Sequence, residues 1–564
     1  MKKPLLFLFT LLGLSSSYAQ TFTVGGINYN VTNANTKEVE VRQTFNVAGD
    51  IIIPASVVNA SVTYSVTSIG YYAFPSCTSL RSISLPASVT SIGESAFTDC
   101  SALTAINADP LNPNLSSDNG ILFNKDKTVL VAYPAGKSGT SYSVPISVTG
   151  VGDCAFSGCK RLTSLSIPTS VTSIGNNAFA SCSGLTSLII PTSVTSIGSS
   201  AFSGCTGLTS LSIPTSVTFI KSFAFSGCSG LTSISIPNSI FYIDKYAFEG
   251  CTSLTSVSIP TSVAFIGQSA FEGCTSLTSV SIPTSVISIG YGVFANCRAL
   301  TAIDVDSANP NYSSDNGVLF NKDKTVLVAY PAGKTEISYS IPNSVTSILN
   351  SAFYGCTSLT SITIPTSVTS IGYKAFCDCK GLTSLNIPNS VAYIREFAFE
   401  RCTGLTSLDI PSSITSIGNF AFYYCTGLKT VNCAIATPPT INSNVFIGIT
   451  LPKVSLTVPS ESFTAYKTAL VWKDFGTING VSTTGIEDLK ENTFTVSVYP
   501  NPVVDMLTLK MENLKQVSFY SIDGLLVLQS TKNEINLSAL VSGVYLAKIE
   551  NTKGQVVIRR VVKK

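Results

Sequence analysis

The sequence contains no histidine among its 564 residues. This absence excludes the Ser-His-Asp and Cys-His catalytic arrangements and every histidine-ligated metal site. It is the strongest argument in the sequence against a hydrolase. A pair of carboxylates of the glycosidase kind remains possible, but Asp and Glu are sparse in the middle of the chain and do not recur at one repeat position. We therefore expect no catalytic residues, no metal ligands and no cofactor.

Charged residues are also scarce, at 12% of the chain, which is about half of the usual ~25% share. The net charge is +3 and no basic stripe stands out, so a nucleic-acid partner has little support. Beyond the N terminus, no apolar run approaches the ~20 residues that cross a bilayer, so we expect no transmembrane segment.

A period of 23 residues organises the middle of the chain. Most copies begin with a cysteine, and thirteen cysteines keep this frame. A fixed period of this length is typical of a solenoid, in which each copy forms one coil. The central run of this cysteine ladder comprises Cys182, Cys205, Cys228, Cys251, Cys274 and Cys297.

One copy shows why the unit forms a coil. Leu254, Val257 and Ile259 alternate with serines, which predicts a strand with one buried face. Pro260 ends that strand because it has no N–H to donate. A second extended segment follows at residues 263–266, and a short helical or 3₁₀ turn then leads to the next cysteine. No unit this short buries its apolar side alone, so the copies must stack.

Disulfide bonds between the in-frame cysteines conflict with this geometry. Equivalent positions in stacked coils lie about one strand spacing apart, ~4.8 Å, whereas a disulfide needs Cβ atoms ~3.8 Å apart. We therefore predict a ladder of buried free thiols, each acting as a small apolar residue. Cys154, Cys377 and Cys433 lie outside the frame, and we expect structural roles for them too.

Two near-identical insertions interrupt the repeats at residues 116–137 and 313–334. Each contains an Asn-Gly pair, which favours a tight turn between strands. We predict that each insertion is a protruding β-hairpin. Asp118 and Asp315 suggest calcium sites, but the dense ligand spacing of a calcium loop is absent, so we favour turn chemistry.

The two ends of the chain differ from the repeats. Residues 1–19 have a basic start, an apolar stretch and a small-residue cleavage site, which predicts a secretory signal peptide. Residues 20–56 and 436–480 are irregular and strand-rich, as expected of the N-terminal and C-terminal caps that cover the open ends of a solenoid. The repeats themselves occupy residues 57–435, and residues 481–493 form a plausible linker.

Residues 494–564 form a separate small domain of alternating strands. The pair Asp523-Gly524 lies between two apolar segments, which is a hairpin signal. We therefore predict a β-rich solenoid with short helical turns on one side, followed by a small all-β, sandwich-like domain.

Aromatic residues replace serine at one position of the second segment in several copies. If these side chains face outward, they form an exposed patch of the kind that marks interaction sites or sugar-stacking surfaces. The alternative is that the rings only pack on one another within the solenoid. Lys221 and Asp244 share a neighbouring position and could pair across coils. The candidate binding residues are Phe219, Tyr242, Phe265 and Tyr393, with Phe223 and Tyr246 four residues further on.

The repeat pattern resembles a known family. Cys-x-x-Leu-x-x-Ile-x-Ile-Pro-x-x-Val-x-x-Ile-Gly-x-x-Ala-Phe-x-x-Cys looks like the BspA-type leucine-rich repeat. The resemblance implies a secreted or surface-displayed bacterial protein, mostly of the binding or adhesion kind, with varied partners.

The tail, which includes the run Tyr499-Pro500-Asn501-Pro502, resembles the type A C-terminal sorting domain of the type IX secretion system. That resemblance implies that residues 494–564 engage the type IX machinery and direct export across the outer membrane. The mature chain is then released or attached to the bacterial surface.

These observations favour a non-enzymatic, adhesin-like protein that presents a rigid solenoid to an extracellular protein or glycan. Two alternatives stay open at this point. One is a glycan-active enzyme that uses carboxylates, and the other is a self-associating component of a surface layer or matrix.

Overall fold

The computed structural model describes residues 20–481, 496–521 and 525–564. The expected signal peptide, nearly all of the expected linker and the Asp523-Gly524 turn lie outside the described residues. The chain divides into two compact units, Met1–Val481 and Ser482–Lys564. The first is a β-solenoid of about 19 turns, and the second is an antiparallel β unit.

The first strand of a coil alternates exposed serine with a buried aliphatic residue. Leu165 pairs with Leu188 of the next coil, 23 residues later, in a parallel register. In the coil at Cys251, Val257 and Ile259 are buried as expected, although the segment is not a regular strand. The first strands are Ser79–Leu85, Ala105–Ala108, Ser141–Ser143, Ser164–Ser166, Ser187–Ile189, Ser210–Ser212, Ser233–Ser235, Ser279–Ile282, Ala302–Val305, Ser338–Ser340, Ser361–Thr363, Ser384–Asn386, Ser407–Ile410 and Thr430–Cys433.

The second strand of a coil has only two residues, of which the first faces solvent and the second the core. These strands also pair in parallel, so a second sheet runs along the solenoid. They are Ser91–Ile92, Gly150–Val151, Ser173–Ile174, Ser196–Ile197, Phe219–Ile220, Tyr242–Ile243, Phe265–Ile266, Ser288–Ile289, Ser347–Ile348, Ser370–Ile371, Tyr393–Ile394 and Ser416–Ile417.

The third side of each coil consists of hydrogen-bonded turns. Its Phe N–H donates to an alanine carbonyl of the next coil, as from Phe156 to Ala178 at 2.7 Å. The fully buried Phe rings stack from coil to coil, with centroids 5.2 Å apart for Phe156 and Phe179. Two residues per coil have positive φ, for example Ser269 and Gly273, so no helix extends beyond one turn.

Both insertions form the predicted hairpins, but the prediction that they protrude is wrong. The third strand of each insertion pairs in parallel with the second strand of the following coil, so the hairpin extends the second sheet. Phe123 and Phe320 are fully buried in the core, and their burial packs the hairpins against the rest of the solenoid. The strands are Leu115–Asp118, Ile121–Asn124 and Val129–Ala132, and Tyr312–Asp315, Val318–Asn321 and Val326–Ala329.

Carboxylates in the insertion turns pair with lysines of the same hairpin. Asp118 lies 3.0 Å from the Lys127 ammonium, and Asp315 lies 2.7 Å from that of Lys324. These contacts agree with the preferred interpretation, in which the carboxylates belong to the hairpin turns and are not calcium ligands.

The N-terminal end of the solenoid is a six-stranded sheet that carries the predicted cap into the first coil. Its strand Val62–Ile69 pairs in parallel with Ser91–Ile92 of the next coil, so the cap and repeats share one ladder. The remaining strands at this end are Thr21–Val24, Ile27–Asn33, Glu38–Val41 and Ser56–Asn59, and Ala48–Ile52 pairs with the first sheet.

The C-terminal end is closed by two aromatic side chains. Tyr466 and Trp472 are fully buried against the last coil, and the Trp472 indole N–H donates to the Pro439 carbonyl at 2.9 Å. The elements here are strands Ser455–Pro459 and Thr477–Val481, helix Phe463–Thr468, and 3₁₀ turns Leu451–Lys453, Ser460–Ser462 and Trp472–Asp474.

The second unit contains a three-stranded and a four-stranded antiparallel sheet around a core that includes Phe519 and Leu507. Leu514–Ser521 and Leu526–Ser530 pair antiparallel, which confirms the predicted hairpin. The other strands are Ser497–Tyr499, Met506–Lys510, Glu534–Asn536, Gly543–Asn551 and Val556–Lys563.

A buried asparagine anchors each insertion to the preceding coil. The Asn112 side chain is fully buried; its Nδ2 donates to the carbonyls of Pro86 and Val89, and its Oδ1 accepts from the backbone N–H groups of Asn114 and Leu115. Asn309 repeats this arrangement in the second insertion.

We predict that Asn112→Ala lowers the free energy of unfolding by about 3 kcal/mol or more, because buried backbone groups lose their partners. Denaturant melts of the full chain measure this effect. Asn386→Ala, on the exposed side of a first strand, is the matched control and should change stability by less than about 0.5 kcal/mol. Equal effects of the two substitutions would contradict the anchoring role.

Candidate functional site

The outward positions of the second sheet carry the predicted aromatic residues. Phe219, Tyr242 and Phe265 are register neighbours in consecutive coils. Phe219 is 51% exposed and Tyr393 is 59% exposed, whereas Tyr242 and Phe265 are partly exposed. Serine occupies this position in neighbouring coils, so the aromatic side chains stand out from a surface of small hydroxyl groups.

The aromatic residues of these consecutive coils form a group that we call the central patch: Phe219, Phe223, Phe241, Tyr242, Tyr246 and Phe265. The Phe265 ring centroid lies 5.6 Å from that of Tyr242 and 5.4 Å from that of Phe241. Phe223 and Tyr246 stack at 4.7 Å with nearly parallel planes. The rings therefore do pack on one another, and they also remain in contact with solvent.

Phe241 is a member of the patch that sequence reasoning missed. It is 47% exposed and precedes the outward position by one residue. Alignment of the repeats could have identified this residue, because threonine occupies the same position in earlier coils, at Thr172, Thr195 and Thr218.

The predicted pairing of Lys221 with Asp244 is wrong. The Asp244 carboxylate accepts hydrogen bonds from the Ser222 hydroxyl and from the Lys245 backbone N–H. The Lys221 ammonium extends the other way, to 3.5 Å from the Ser196 hydroxyl of the preceding coil. The carboxylate is thus satisfied by the Ser222 hydroxyl of the preceding coil and by the backbone of its own turn, and the lysine is not its partner.

A second aromatic cluster lies in the later coils, and sequence reasoning identified only Tyr393 from this region. We call it the C-terminal patch: Tyr373, Tyr393, Phe397, Phe420, Tyr423 and Tyr424. Phe397 contacts both Tyr373, at 5.6 Å, and Phe420, at 4.9 Å between centroids. The Lys374 ammonium lies 5.5 Å from the centroid of the Phe397 ring, close enough for a cation–π contact.

Several of these rings stand on strained backbone. Phe223, Tyr246, Phe397 and Phe420 have φ between 56° and 58°, a conformation that bulky residues rarely adopt. In other coils, serine or asparagine occupies this positive-φ position, for example Asn177. An aromatic residue here carries a local cost of the kind that accumulates at functional positions.

The cysteine ladder is buried and unpaired, as predicted. All sixteen cysteines have free thiols, and all of those in the frame are buried. The sequence did not reveal that the thiols are hydrogen-bond donors. Most donate to a phenylalanine carbonyl of the preceding coil, with a sulfur–oxygen distance of 3.0 Å from Cys182 to Phe156 and 3.2 Å from Cys274 to Phe248. Cys77, Cys159 and Cys356 donate instead to the carbonyls of Thr44, Tyr133 and Tyr330.

Burial changes the acidity of these thiols. It raises the pKa of Cys297 to about 12, and it raises the pKa values of Cys205 and Cys251 well above their ordinary range. For Cys182 the pKa is raised first by a hydrogen bond with Cys159 and then by burial. These four thiols therefore stay protonated and unreactive at neutral pH.

The three cysteines outside the frame contact polar groups. Cys154 lies 3.3 Å from the Ser95 hydroxyl, and Cys433 lies 3.2 Å from the Tyr466 hydroxyl. The Cys377 thiol donates to Glu400 at 3.5 Å.

Family profiles match nearly the whole described chain. The BspA type leucine-rich repeat region matches residues 54–124, 133–252, 196–322 and 332–463. The secretion system C-terminal sorting domain matches residues 497–564. A search of curated proteins finds no match.

Solved structures of bacterial leucine-rich proteins are similar. A leucine-rich cell surface protein from Faecalibacterium prausnitzii is 25% identical, covering 83% of this chain and 97% of its own, with a TM-score of 0.40. A leucine-rich repeat protein from Bacteroides ovatus is 30% identical, covering 73% and 94%, with a TM-score of 0.35. The pneumococcal vaccine antigen PcpA is 18% identical, covering 82% and 99%, with a TM-score of 0.37.

We predict that the folded chain resists thiol reagents. Iodoacetamide at pH 8 without reductant should label none of the buried ladder cysteines in the native protein, because access and ionisation are both blocked. After denaturation, still without reductant, all sixteen should react. Mass spectrometry counts the adducts, and a shortfall after denaturation would reveal a disulfide.

We also predict that stability falls in alkali. Unfolded thiols ionise near pH 8.5, whereas the buried ladder keeps its protons to higher pH. Above that pH the folded state binds more protons, so the free energy of unfolding decreases as the pH rises. Cys228→Ala/Cys251→Ala should lose stability less steeply, by up to about 1.4 kcal/mol per pH unit for each thiol removed. Denaturant melts give the free energy of unfolding of both proteins at each pH. An equally steep decrease with pH in the two proteins would contradict the predicted burial effect.

Proposed function

The chain belongs to the BspA-type leucine-rich repeat proteins, and from this premise we propose that its solenoid is a non-enzymatic, adhesin-like scaffold that binds an extracellular protein or glycan. The sorting domain at residues 497–564 directs type IX export to the cell surface or the extracellular space. No helix among the described residues has the length and apolar character needed to cross a membrane.

The observation that carries the proposal is the central patch. Three consecutive coils replace a small outward serine with Phe219, Tyr242 and Phe265. Exposed aromatic clusters with nearby charges are the usual anchors of binding interfaces. Their strands pair with one another in a parallel register, which fixes the spacing of the three side chains.

The first sheet offers a poorer surface. Its outward side chains are mostly serine, as in Ser164–Ser166 and Ser210–Ser212, and serine rarely supplies much binding energy. We therefore assign recognition to the second sheet and a scaffolding role to the first.

Support for a non-enzymatic role comes from composition. Histidine is absent, so the usual general base of hydrolases is missing. The binding surface described above consists of aromatic rings with scattered charges of both signs, which suits holding a partner.

The test is the triple substitution Phe219→Ser/Tyr242→Ser/Phe265→Ser in the full chain. Each change restores the residue that the repeat usually carries, so the fold should persist. We expect binding to immobilised extracellular matrix proteins or glycans to fall at least tenfold, since each anchor is worth about 1–2 kcal/mol.

The matched control is Ile189→Ser, which removes a side chain that is 84% exposed on the first sheet. It should leave binding unchanged. Unchanged binding by the triple variant with an intact melting profile would remove the central patch as the binding site. Loss of concentration-dependent oligomers in that variant would instead identify a second copy of this chain as the partner.

A further inference from the structure

Three coils share one departure from the repeat at the end of the second strand. Most coils read Ser-Ile-Gly followed by two small or polar residues, as at residues 196–200. Residues 219–223, 242–246 and 393–397 instead read FIKSF, YIDKY and YIREF. In each, a charged residue replaces the glycine and an aromatic residue lies two positions to either side. We call these the aromatic–charged–aromatic segments.

The glycine at this position allows successive coils to approach closely. A Cβ atom on Gly198 would lie 2.4 Å from the backbone nitrogen of Asn176, and one on Gly418 would lie 2.5 Å from that of Glu396. A side chain at this position therefore requires the local backbone to adjust.

The ladder of the second sheet loses a hydrogen bond at two of the three segments. The N–H groups of Gly198 and Gly418 donate to the preceding coil at 2.9 and 2.8 Å. Among the described backbone hydrogen bonds, Lys221 and Arg395 make no such contact, whereas the Asp244 N–H keeps it and donates to the Ile220 carbonyl at 2.9 Å. The sheet divides before Phe219–Ile220. At Lys221 and Arg395 the replacement of glycine therefore costs a backbone hydrogen bond to the preceding coil.

Open grooves lie along this glycine column. One, of about 350 Å³, runs over Gly152, Gly175 and Gly198 and reaches Lys221. Another, of about 420 Å³, is lined by side chains that include Tyr373, Tyr393, Arg395 and Glu396.

A third groove, of about 410 Å³, occupies the same column at the N-terminal end beside Gly70, Tyr71 and Tyr72. It also includes Asn30, whose Oδ1 is buried without a hydrogen-bond partner. The three grooves thus occupy the same repeat position in separate parts of the solenoid, which suits an extended ligand.

The chemistry along this line suits a sugar polymer. Exposed tyrosine rings accept the C–H face of a pyranose by dispersion contacts. Planar amide, carboxylate and guanidinium groups, as at Asn176, Glu396 and Arg395, donate to or accept from hydroxyl groups. The charged residue changes sign between segments, from Lys221 to Asp244 to Arg395, so a polymer of uniform charge fits poorly.

We propose that the glycine column is a binding groove for an extended, neutral polysaccharide chain, with the three aromatic–charged–aromatic segments as its stacking positions. This inference deepens the proposed function and rests on it. Several modest contacts on one chain act together through effective concentration. Affinity therefore rises with ligand length, and the C-terminal segment contributes to it as well as the central ones.

The test measures binding of the full chain to a soluble β-1,4-glucan, a β-1,4-xylan and an α-1,6-mannan, each beside its disaccharide. We expect at least one polymer to bind roughly 10²-fold tighter than its disaccharide. Two variants restore the repeat sequence, Phe219→Ser/Lys221→Gly/Phe223→Ser and Tyr393→Ser/Arg395→Gly/Phe397→Ser. Each should reduce polymer affinity about tenfold or more while keeping or raising the melting temperature, because the ladder hydrogen bond can re-form.

Asn386→Ser, an exposed change on the first sheet of the coil that carries Arg395, is the matched control and should bind the polymer normally. Absence of binding to every polysaccharide, affinity independent of length, or normal binding by the Tyr393 variant would each overturn the inference. If matrix proteins still bind through the central patch in that case, the proposed function stands without the glycan groove.

Discussion

The contact between one coil and its copy 23 residues later is the constraint on which the rest of the solenoid depends. In the core columns, each side chain packs against the same residue type in the two adjacent coils. One residue type must therefore fit both the coil below and the coil above. Phenylalanine stacks on phenylalanine at 5.2–5.7 Å along the central coils, and each ladder thiol donates to the carbonyl beneath it. The repeat therefore tolerates only substitutions that keep this register or that open the stack locally.

Because the background is so regular, departures from it carry the functional information. Aromatic residues on the second sheet, on strained backbone at Phe223 and Phe397, and charged residues in place of glycine at Lys221 and Arg395 all weaken local structure. They coincide on one face and beside open grooves. That coincidence is the basis for our proposal that this exported scaffold binds its partner through the second sheet.

Much of the fold was predictable from the sequence, because the period fixes the register and alternation fixes which side chains are buried. The free-thiol ladder followed from strand spacing alone. The embedding of the insertions was not predictable in this way, because it depends on the hydrogen bonds of Asn112 to the preceding coil and on the burial of Phe123 in the core. The thiol–carbonyl hydrogen bonds were not predictable either, because they depend on the approach of each thiol to a backbone carbonyl of the preceding coil. The C-terminal patch was accessible, since aligning Arg395 and Phe397 with Lys221 and Phe223 shows the shared pattern.

Removal of one whole coil tests the stacking account most directly. Deleting residues 182–204 takes out one 23-residue period and joins equivalent positions, whereas deleting residues 182–193 breaks the register. Fluorescence of the buried Trp472, the only tryptophan, together with resistance to proteolysis, reports on folding. We expect the whole-coil deletion to fold with a cooperative transition and the partial deletion to lose protection. Equal behaviour of the two deletions would contradict the account.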